Sequence, residues 1–164
     1  GLPVPDDAIS ALLSWENSYF IIKNGNWQDL RNAPEIGFMS GWCSGAPGIG
    51  MVRKEMLGLI NDVNLRSLCE KDISLSAEFI AMETPSKRDS LCCGTASRLM
   101  AASRLGIRID KTFEQLFAAE KENRLRFIHP ADTADINISL MQGLSGVAYA
   151  LAMYGDPLSG GMLL

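Results

Sequence analysis

Three of the four cysteines in this 164-residue chain stand just before the glycines of two similar turns. Cys43 lies in GWCSGAPGIG, and the adjacent pair Cys92 and Cys93 lies in LCCGTASRLM. A thiol at such a position can be a buried filler, half of a disulfide, a nucleophile or a metal ligand. Because thiolates are soft ligands that suit Zn²⁺, metal binding is the first chemistry to consider.

The elements that position these thiols are indicated by a repeat. Three stretches resemble one another: WCSGAPGIGMV, LCCGTASRLMA and LMQGLSGVAYA. Their first glycines, Gly45, Gly94 and Gly143, are spaced 49 residues apart. An equal period of this size is typical of stacked supersecondary units, so we predict three equivalent turns.

Each turn is followed by a pattern that predicts an inner helix. The apolar positions are Ile49, Val52, Met56 and Ile60 in the first unit, and Leu144, Val147, Ala148 and Leu151 in the third. The third helix is also apolar at Ala150, Ala152 and Met153, which predicts burial on several sides. Small residues in these helices favour tight convergence around an axis.

Amphipathic stretches between the turns predict outer helices. KDISLSAEFIAM is one, and DKTFEQLFAAEKENRL is another, with a stripe at Phe113, Leu116, Phe117 and Glu120. LLSWENSYFIIKNGNWQDLRN predicts a preceding outer helix, a turn at NGN and an irregular segment. The predicted fold class is all-α, an α/α toroid of helical hairpins.

Equivalent turns of adjacent units face the same mouth, so Cys43, Cys92 and Cys93 should converge there. A disulfide within the adjacent pair is strained, and Cys43 can reach at most one of the two. We expect the helix N-termini to lower the pKa of these thiols and to favour zinc binding. Three protein ligands leave a fourth position open, the pattern of catalytic zinc.

Composition narrows the classes of function. The net charge is −4 without a basic stripe, which excludes nucleic acid as an expected partner. No apolar run approaches the ~20 residues of a membrane span, and the start lacks the features of a signal peptide. We therefore expect a cytoplasmic protein in which disulfides are disfavoured.

The fourth cysteine and the single histidine are predicted to have no role in metal binding. Cys69, in RSLCEKD, reads as a buried apolar filler, and His129, the only histidine, as a surface or capping residue. A toroidal glycosidase would need two carboxylates at the mouth, but only Asp89 lies near a turn. The turns also lack the lysine of a P-loop.

Four motifs carry a family resemblance: GNWQDLR, GFMSGWCSGAPGIGMVR, SLCCG and GLSGVAYALAMYGDP. They resemble the lanthionine synthetase C-like cyclases, in particular the C-terminal cyclase domain of class II lanthipeptide synthetases, which serve antibiotic biosynthesis. The resemblance implies an α/α toroid. It also implies that Cys43 and Cys92 are zinc ligands and that Cys93 is the third ligand, a histidine in many members and a cysteine in one subgroup.

The implied reaction joins a cysteine thiol of a precursor peptide to dehydroalanine or dehydrobutyrine, which closes a thioether ring. The implied partner is a dehydrated precursor peptide with its leader. Two positions depart from the family pattern: Ser44 stands where a histidine or tyrosine is usual, and Ser97 replaces a glycine. A proton-transfer role at Ser44 is therefore not expected.

A complete cyclase domain of this family is more than twice this length. We expect residues 1–164 to be its C-terminal portion, preceded by the rest of the ring and by the dehydratase domain of a bifunctional synthetase. The alternative is a non-catalytic α-helical repeat module with a structural zinc site, in which a fourth protein residue closes the ligand set.

Overall fold

The computed structural model describes residues 5–32, 34–82, 86–127 and 137–155. These ranges contain six α-helices: α1 (Asp6–Asn17), α2 (Ala46–Leu57), α3 (Val63–Ala81), α4 (Thr95–Leu105), α5 (Asp110–Lys121) and α6 (Leu144–Gly155). The predicted all-α fold class is confirmed. None of these helices is long and apolar enough to cross a membrane. His129 and the end of the motif GLSGVAYALAMYGDP lie outside the described residues.

The helices form two layers. The inner helices α2, α4 and α6 pack side by side, α3 packs outside α2, and α5 packs outside α4. Helix α1 contacts α3, as expected for a preceding outer helix. Close approach of the layers depends on Gly50 of α2, where a Cβ would lie 2.6 Å from the Cβ of Ser76 on α3.

The main apolar core surrounds α4. Ala96, Leu99, Ala101 and Ala102 are fully buried on this helix, and residues of α2, α3, α5 and α6 pack against them. Burying one leucine-sized side chain contributes roughly 1.5–3 kcal/mol. The alanines of α4 are small, so α2 and α6 can approach this helix closely and bury their apolar side chains in the same core.

The predicted apolar stripe of α2 is partly correct, since Ile49 and Met56 are half-buried. Val52 is 46 % exposed, and Ile60 is buried but lies beyond the end of the helix. Arg53 is buried instead, because its Nε donates to Asp72 at 2.9 Å and an Nη contacts Glu16. A charged side chain satisfied by long-range partners gives no hydrophobic signal.

The other predicted stripes are partly correct. Leu116 of α5 is buried, whereas Phe117 is exposed and Thr112 is buried in its place. On α6, Val147 and Ala150 face the core. Two further positions of α6, Ala148 and Ala152, are exposed, so this helix is not buried on all sides.

The segment after α1 forms a small sheet rather than the predicted irregular approach. Strands β1 (Phe20–Ile21), β2 (Asn26–Asp29) and β3 (Gly37–Phe38) pair antiparallel in that order. The predicted NGN turn is confirmed at Gly25, which has φ +58°. Trp27 of β2 is buried, and its Nε1 donates to Asn17 at the end of α1 at 2.9 Å.

Candidate functional site

The three glycine turns have one backbone plan. A Cβ at Gly45 would lie 1.9 Å from the carbonyl oxygen of Met39, and one at Gly94 would lie 2.6 Å from that of Arg88. At Gly143 the corresponding distance to the oxygen of Asn137 is 2.2 Å. In each turn the crowded carbonyl belongs to the residue six positions earlier. The predicted repeat of 49 residues is therefore present in the structure.

Backbone hydrogen bonds join successive turns. The amide of Cys43 donates to the carbonyl of Cys92 at 3.3 Å, and the amide of Cys92 donates to the carbonyl of Met141 at 2.8 Å. These three residues are themselves 49 positions apart. Trp42 adds a second amide to the Cys92 carbonyl at 2.9 Å. Cys92 is therefore the backbone link between the turns, and Met141 occupies the cysteine position of the third turn.

A glycine allows the first two turns to touch. A Cβ at Gly41 would lie 2.6 Å from the Cα of Cys93 and 2.7 Å from the carbonyl oxygen of Cys92. Any other residue at position 41 would separate the two cysteine-bearing segments. Glycine is needed at position 41 for close backbone approach rather than for a special backbone conformation.

The Cys92 thiol interacts with the thiols of both Cys43 and Cys93. Cys43 is exposed, and Cys92 and Cys93 are half-buried. Burial, together with the neighbouring Cys43 and Cys93 thiols, raises the pKa of Cys92 to about 12. Both causes disfavour the charged thiolate in the absence of a metal ion.

Cys69 lies away from this site. It is fully buried in a separate apolar cluster with Leu13, Ile60 and Leu65. Burial raises the pKa of its thiol. The interpretation of Cys69 as an apolar filler is confirmed.

Two arginines flank the thiols. Nη1 of Arg88 lies 3.9 Å from Sγ of Cys93, and Oγ of Ser90 lies 3.7 Å from the same sulfur. On the other side, the guanidinium of Arg31 is held by Asp29, with Nε–Oδ1 at 2.8 Å and Nη2–Oδ2 at 2.7 Å. Hydrogen bonding to Asp29 and, more weakly, the nearby Cys43 thiol raise the pKa of Arg31.

Asn26 of β2 braces the first turn. Its Oδ1 accepts from the amides of Ala46 and Trp27, both at 2.8 Å, and its Nδ2 donates to the Met39 carbonyl at 2.8 Å. The side chain thus bridges the two ends of the turn. In the later turns these ends bond directly through the backbone. The amide of Thr95 donates to the carbonyl of Arg88 at 2.9 Å, and the amide of Leu144 donates to the carbonyl of Asn137 at 2.8 Å.

Asp89 braces the second turn. Its carboxylate accepts from Oγ1 of Thr95 at 2.8 Å and from Nη2 and Nε of Arg126 at 2.8 and 2.9 Å. Burial alone would raise the pKa of Asp89, but the bonds from Arg126 and Thr95 outweigh it and hold this pKa below its usual value. An ion-paired, fully bonded carboxylate is structural, which removes the residue that a glycosidase would have required.

The sequence reasoning missed Asn26 and Arg31 as site residues. Both lie in the GNWQDLR motif, which carried the family resemblance but received no role. The available signal was a run of polar residues around a tryptophan, in a segment assigned to no helix. A buried asparagine needs hydrogen-bond partners, and here those partners are the ends of the cysteine turn.

The donor chemistry fits zinc, since two adjoining turns carry three free thiols. Their arrangement is not a ready-made ligand group: among the described residues, no three or more His, Cys, Asp or Glu side chains are disposed to hold a metal ion. A cavity of about 270 Å³ opens beside Cys43 and is lined by Trp15, Trp42, Ile49 and Val52 among others. The exposed thiol is therefore accessible from outside.

The chain belongs to the family of lanthionine synthetase C-like proteins, whose family model matches residues 3–159. Membership supports a cyclase function of the lanthionine synthetase type and agrees with the helical fold. Comparisons with curated proteins and with solved structures gave no match.

Proposed function

We propose that this chain is a zinc-dependent peptide cyclase, the C-terminal portion of the cyclase domain of a class II lanthipeptide synthetase with all-cysteine metal ligands. Cys43, Cys92 and Cys93 would hold the zinc. The proposal is supported by the interaction of the Cys92 thiol with those of Cys43 and Cys93, on two turns that backbone hydrogen bonds join. Family membership supplies the reaction class.

The proposed reaction adds the S–H of a precursor cysteine across the C=C bond of dehydroalanine or dehydrobutyrine. A C–S bond forms at Cβ, a proton is delivered to Cα, and no group leaves. Bound zinc would supply a substrate sulfur that stays deprotonated near neutral pH. The partners proposed are the dehydrated precursor with its leader, the remainder of the cyclase ring and a dehydratase domain.

The chain's own residues would fix and shield the site. The amides of Trp42 and Cys43 hold the first turn against Cys92, so the ligands start from a fixed backbone. Side-chain rotation on that backbone would complete the ligand set. The cavity beside Cys43 would admit the substrate, and its tryptophan and aliphatic lining would exclude water.

Metal analysis of single variants tests the ligand set. We expect one zinc per chain in the wild type, and loss of zinc in Cys43→Ala, Cys92→Ala and Cys93→Ala. Cys69→Ala is the matched control, because it removes a thiol from a separate apolar cluster. Retention of zinc by Cys93→Ala with loss in Cys69→Ala would contradict the assignment.

Cobalt substitution separates the cyclase from the alternative structural module. An open fourth position changes the absorption of bound Co²⁺ when a small thiol is added, because sulfur enters the coordination sphere. A closed structural site does not respond. An unchanged spectrum would therefore support the non-catalytic repeat module.

A further inference from the structure

The proposed zinc site carries an excess of negative charge. Three protein thiolates outweigh the two charges of Zn²⁺ by one, and a substrate thiolate increases the excess to two. Cys92 and Cys93 are only half-exposed, so solvent offsets this charge incompletely. A partly buried charge without a partner is costly, which makes nearby cations important.

One cation belongs to the second turn. Nη1 of Arg88 lies 3.9 Å from Sγ of Cys93. The backbone of Arg88 is fixed, since its carbonyl accepts from the amide of Thr95 at 2.9 Å and from the Thr95 hydroxyl at 3.1 Å. The side chain itself is exposed. Arg88 thus presents its charge from a rigid base, but in a solvated setting.

The other cation reaches the first turn from outside it. Arg31 lies in the 3₁₀ turn Leu30–Asn32, and its guanidinium is clamped in two places by the buried carboxylate of Asp29. From there its Nη2 contacts the Sδ of Met39, four residues before Cys43 in the first turn. The clamp holds the charge near the first thiol with little side-chain freedom.

The repeat explains why the two arginines come from different places. Met39 is the residue of the first turn that corresponds to Arg88, 49 positions later. The first turn therefore lacks an arginine of its own, and Arg31 reaches the Met39 side chain. In the third turn the equivalent positions hold Asn137 and Met141, with neither arginine nor cysteine. Cations accompany the two turns that carry thiols.

We propose that Arg31 and Arg88 are charge-compensating positioning residues, one for each thiol-bearing turn, that strengthen zinc binding by the three cysteines. The inference rests on the proposed function. Neither arginine contacts substrate directly in this role. Each acts through a ligand sulfur, by offsetting the negative charge that accumulates when the thiolates gather around the ion.

The test is zinc affinity, measured by competition with a chromophoric chelator at low and high salt. We expect Arg31→Gln to weaken affinity about tenfold and Arg88→Gln about threefold, because Arg31 is held more rigidly. Both losses should shrink as salt rises, since the side chain of Arg31 is 56 % exposed and is screened. A purely structural role would show no such salt dependence.

Asp29→Asn distinguishes charge from structure. This variant loosens the clamp, but an amide oxygen at position 29 can still accept from Nε of Arg31, and loss of the Asp29 charge leaves the arginine charge near Cys43 unopposed. We expect the charge effect to outweigh the looser clamp, so zinc affinity should be at or above that of the wild type. Arg124→Gln is the control for loss of an arginine, because its side chain pairs with Glu122 on the surface rather than with a thiol. Arg31→Lys should recover part of the affinity.

The outcomes separate this inference from the proposed function. Wild-type affinity in both Arg31→Gln and Arg88→Gln would overturn the inference while zinc binding by the cysteines stands. Equal weakening in Asp29→Asn and Arg31→Gln would also overturn it, because charge cannot explain that result. If the wild type binds no zinc, or the cysteine variants retain it, the proposed function itself fails.

Discussion

The first and second turns share a backbone plan but are braced by different chemistry. Asn26, a neutral amide on a neighbouring strand, bridges the ends of the first turn. In the second turn the ends bond directly, and the carboxylate of Asp89 fastens the turn to Arg126. The repeat therefore specifies where the thiols stand, while the braces decide how each turn responds to mutation and pH.

The largest expected effect is a loss of stability when the glycine of either turn is replaced by alanine, and the loss should be greater in the first turn. Gly45 has φ +100°, and its Cβ would lie 1.9 Å from a carbonyl oxygen, so Gly45→Ala combines strain with overlap. We expect a loss of about 4 kcal/mol in unfolding free energy. Gly94→Ala, with an extended φ of −135°, should cost about 2 kcal/mol. Denaturant titration measures both, and equal losses would remove the distinction.

Loss of the neutral brace should come next. Asn26 is only 1 % exposed. Asn26→Ala removes the side chain that bonds the amide of Ala46 and the carbonyl of Met39 and leaves both groups without that partner. We expect the free energy of unfolding to fall by about 3 kcal/mol. This loss should be the same from about pH 3 to about pH 7, because an amide does not titrate there. A loss that varied with pH across that range would point to a coupled ionisable group instead.

The charged brace should behave differently. The pKa of Asp89 is depressed in the folded chain, so its stabilising contribution is present above the unfolded pKa and is lost as pH falls through the folded one. Asp89→Asn should therefore lower the free energy of unfolding by about 2 kcal/mol at about pH 7. The difference in unfolding free energy between this variant and the wild type should shrink below about pH 4. Unfolding titrations at several pH values measure the difference, and a constant one would contradict the argument.

A smaller effect concerns the extra thiol of the second turn. With histidine at position 93, the proposed zinc site would be one charge less negative, and a substrate thiolate bound there would be a weaker nucleophile. We expect Cys93→His to retain zinc but to close rings about tenfold more slowly, equivalent to ~1.4 kcal/mol of barrier. Rates are compared at equal zinc occupancy on a dehydrated peptide. An equal or faster rate would refute the charge argument.

The smallest expected effect is a gain. Ser97 stands where the first and third turns have Gly48 and Gly146, and its buried Oγ has no hydrogen-bond partner among the described residues. Ser97→Ala should raise the unfolding free energy by about 1 kcal/mol. Ser90→Ala, whose hydroxyl contacts Cys93, should show no such gain. Destabilisation by Ser97→Ala would indicate that the hydroxyl has a partner.

Much of the fold could be predicted from local pattern. The glycine spacing predicted the three equivalent turns, and amphipathic stretches predicted the outer helices. Predictions of which face is buried failed where a long-range partner decides burial. Arg53 is inside because Asp72, on another helix, satisfies it, and Val52 is half-exposed because it borders the open cavity beside Cys43.

The sequence by itself determined the register of the candidate site. Cysteine and glycine types repeat at one interval, and an interval of one helical hairpin returns the chain to the same mouth. Only the tertiary structure decided what surrounds the thiols. Cys92 became the backbone link with a raised pKa, and Asn26 and Arg31 became site residues, because contacts between segments distant in sequence are set by packing rather than by local pattern.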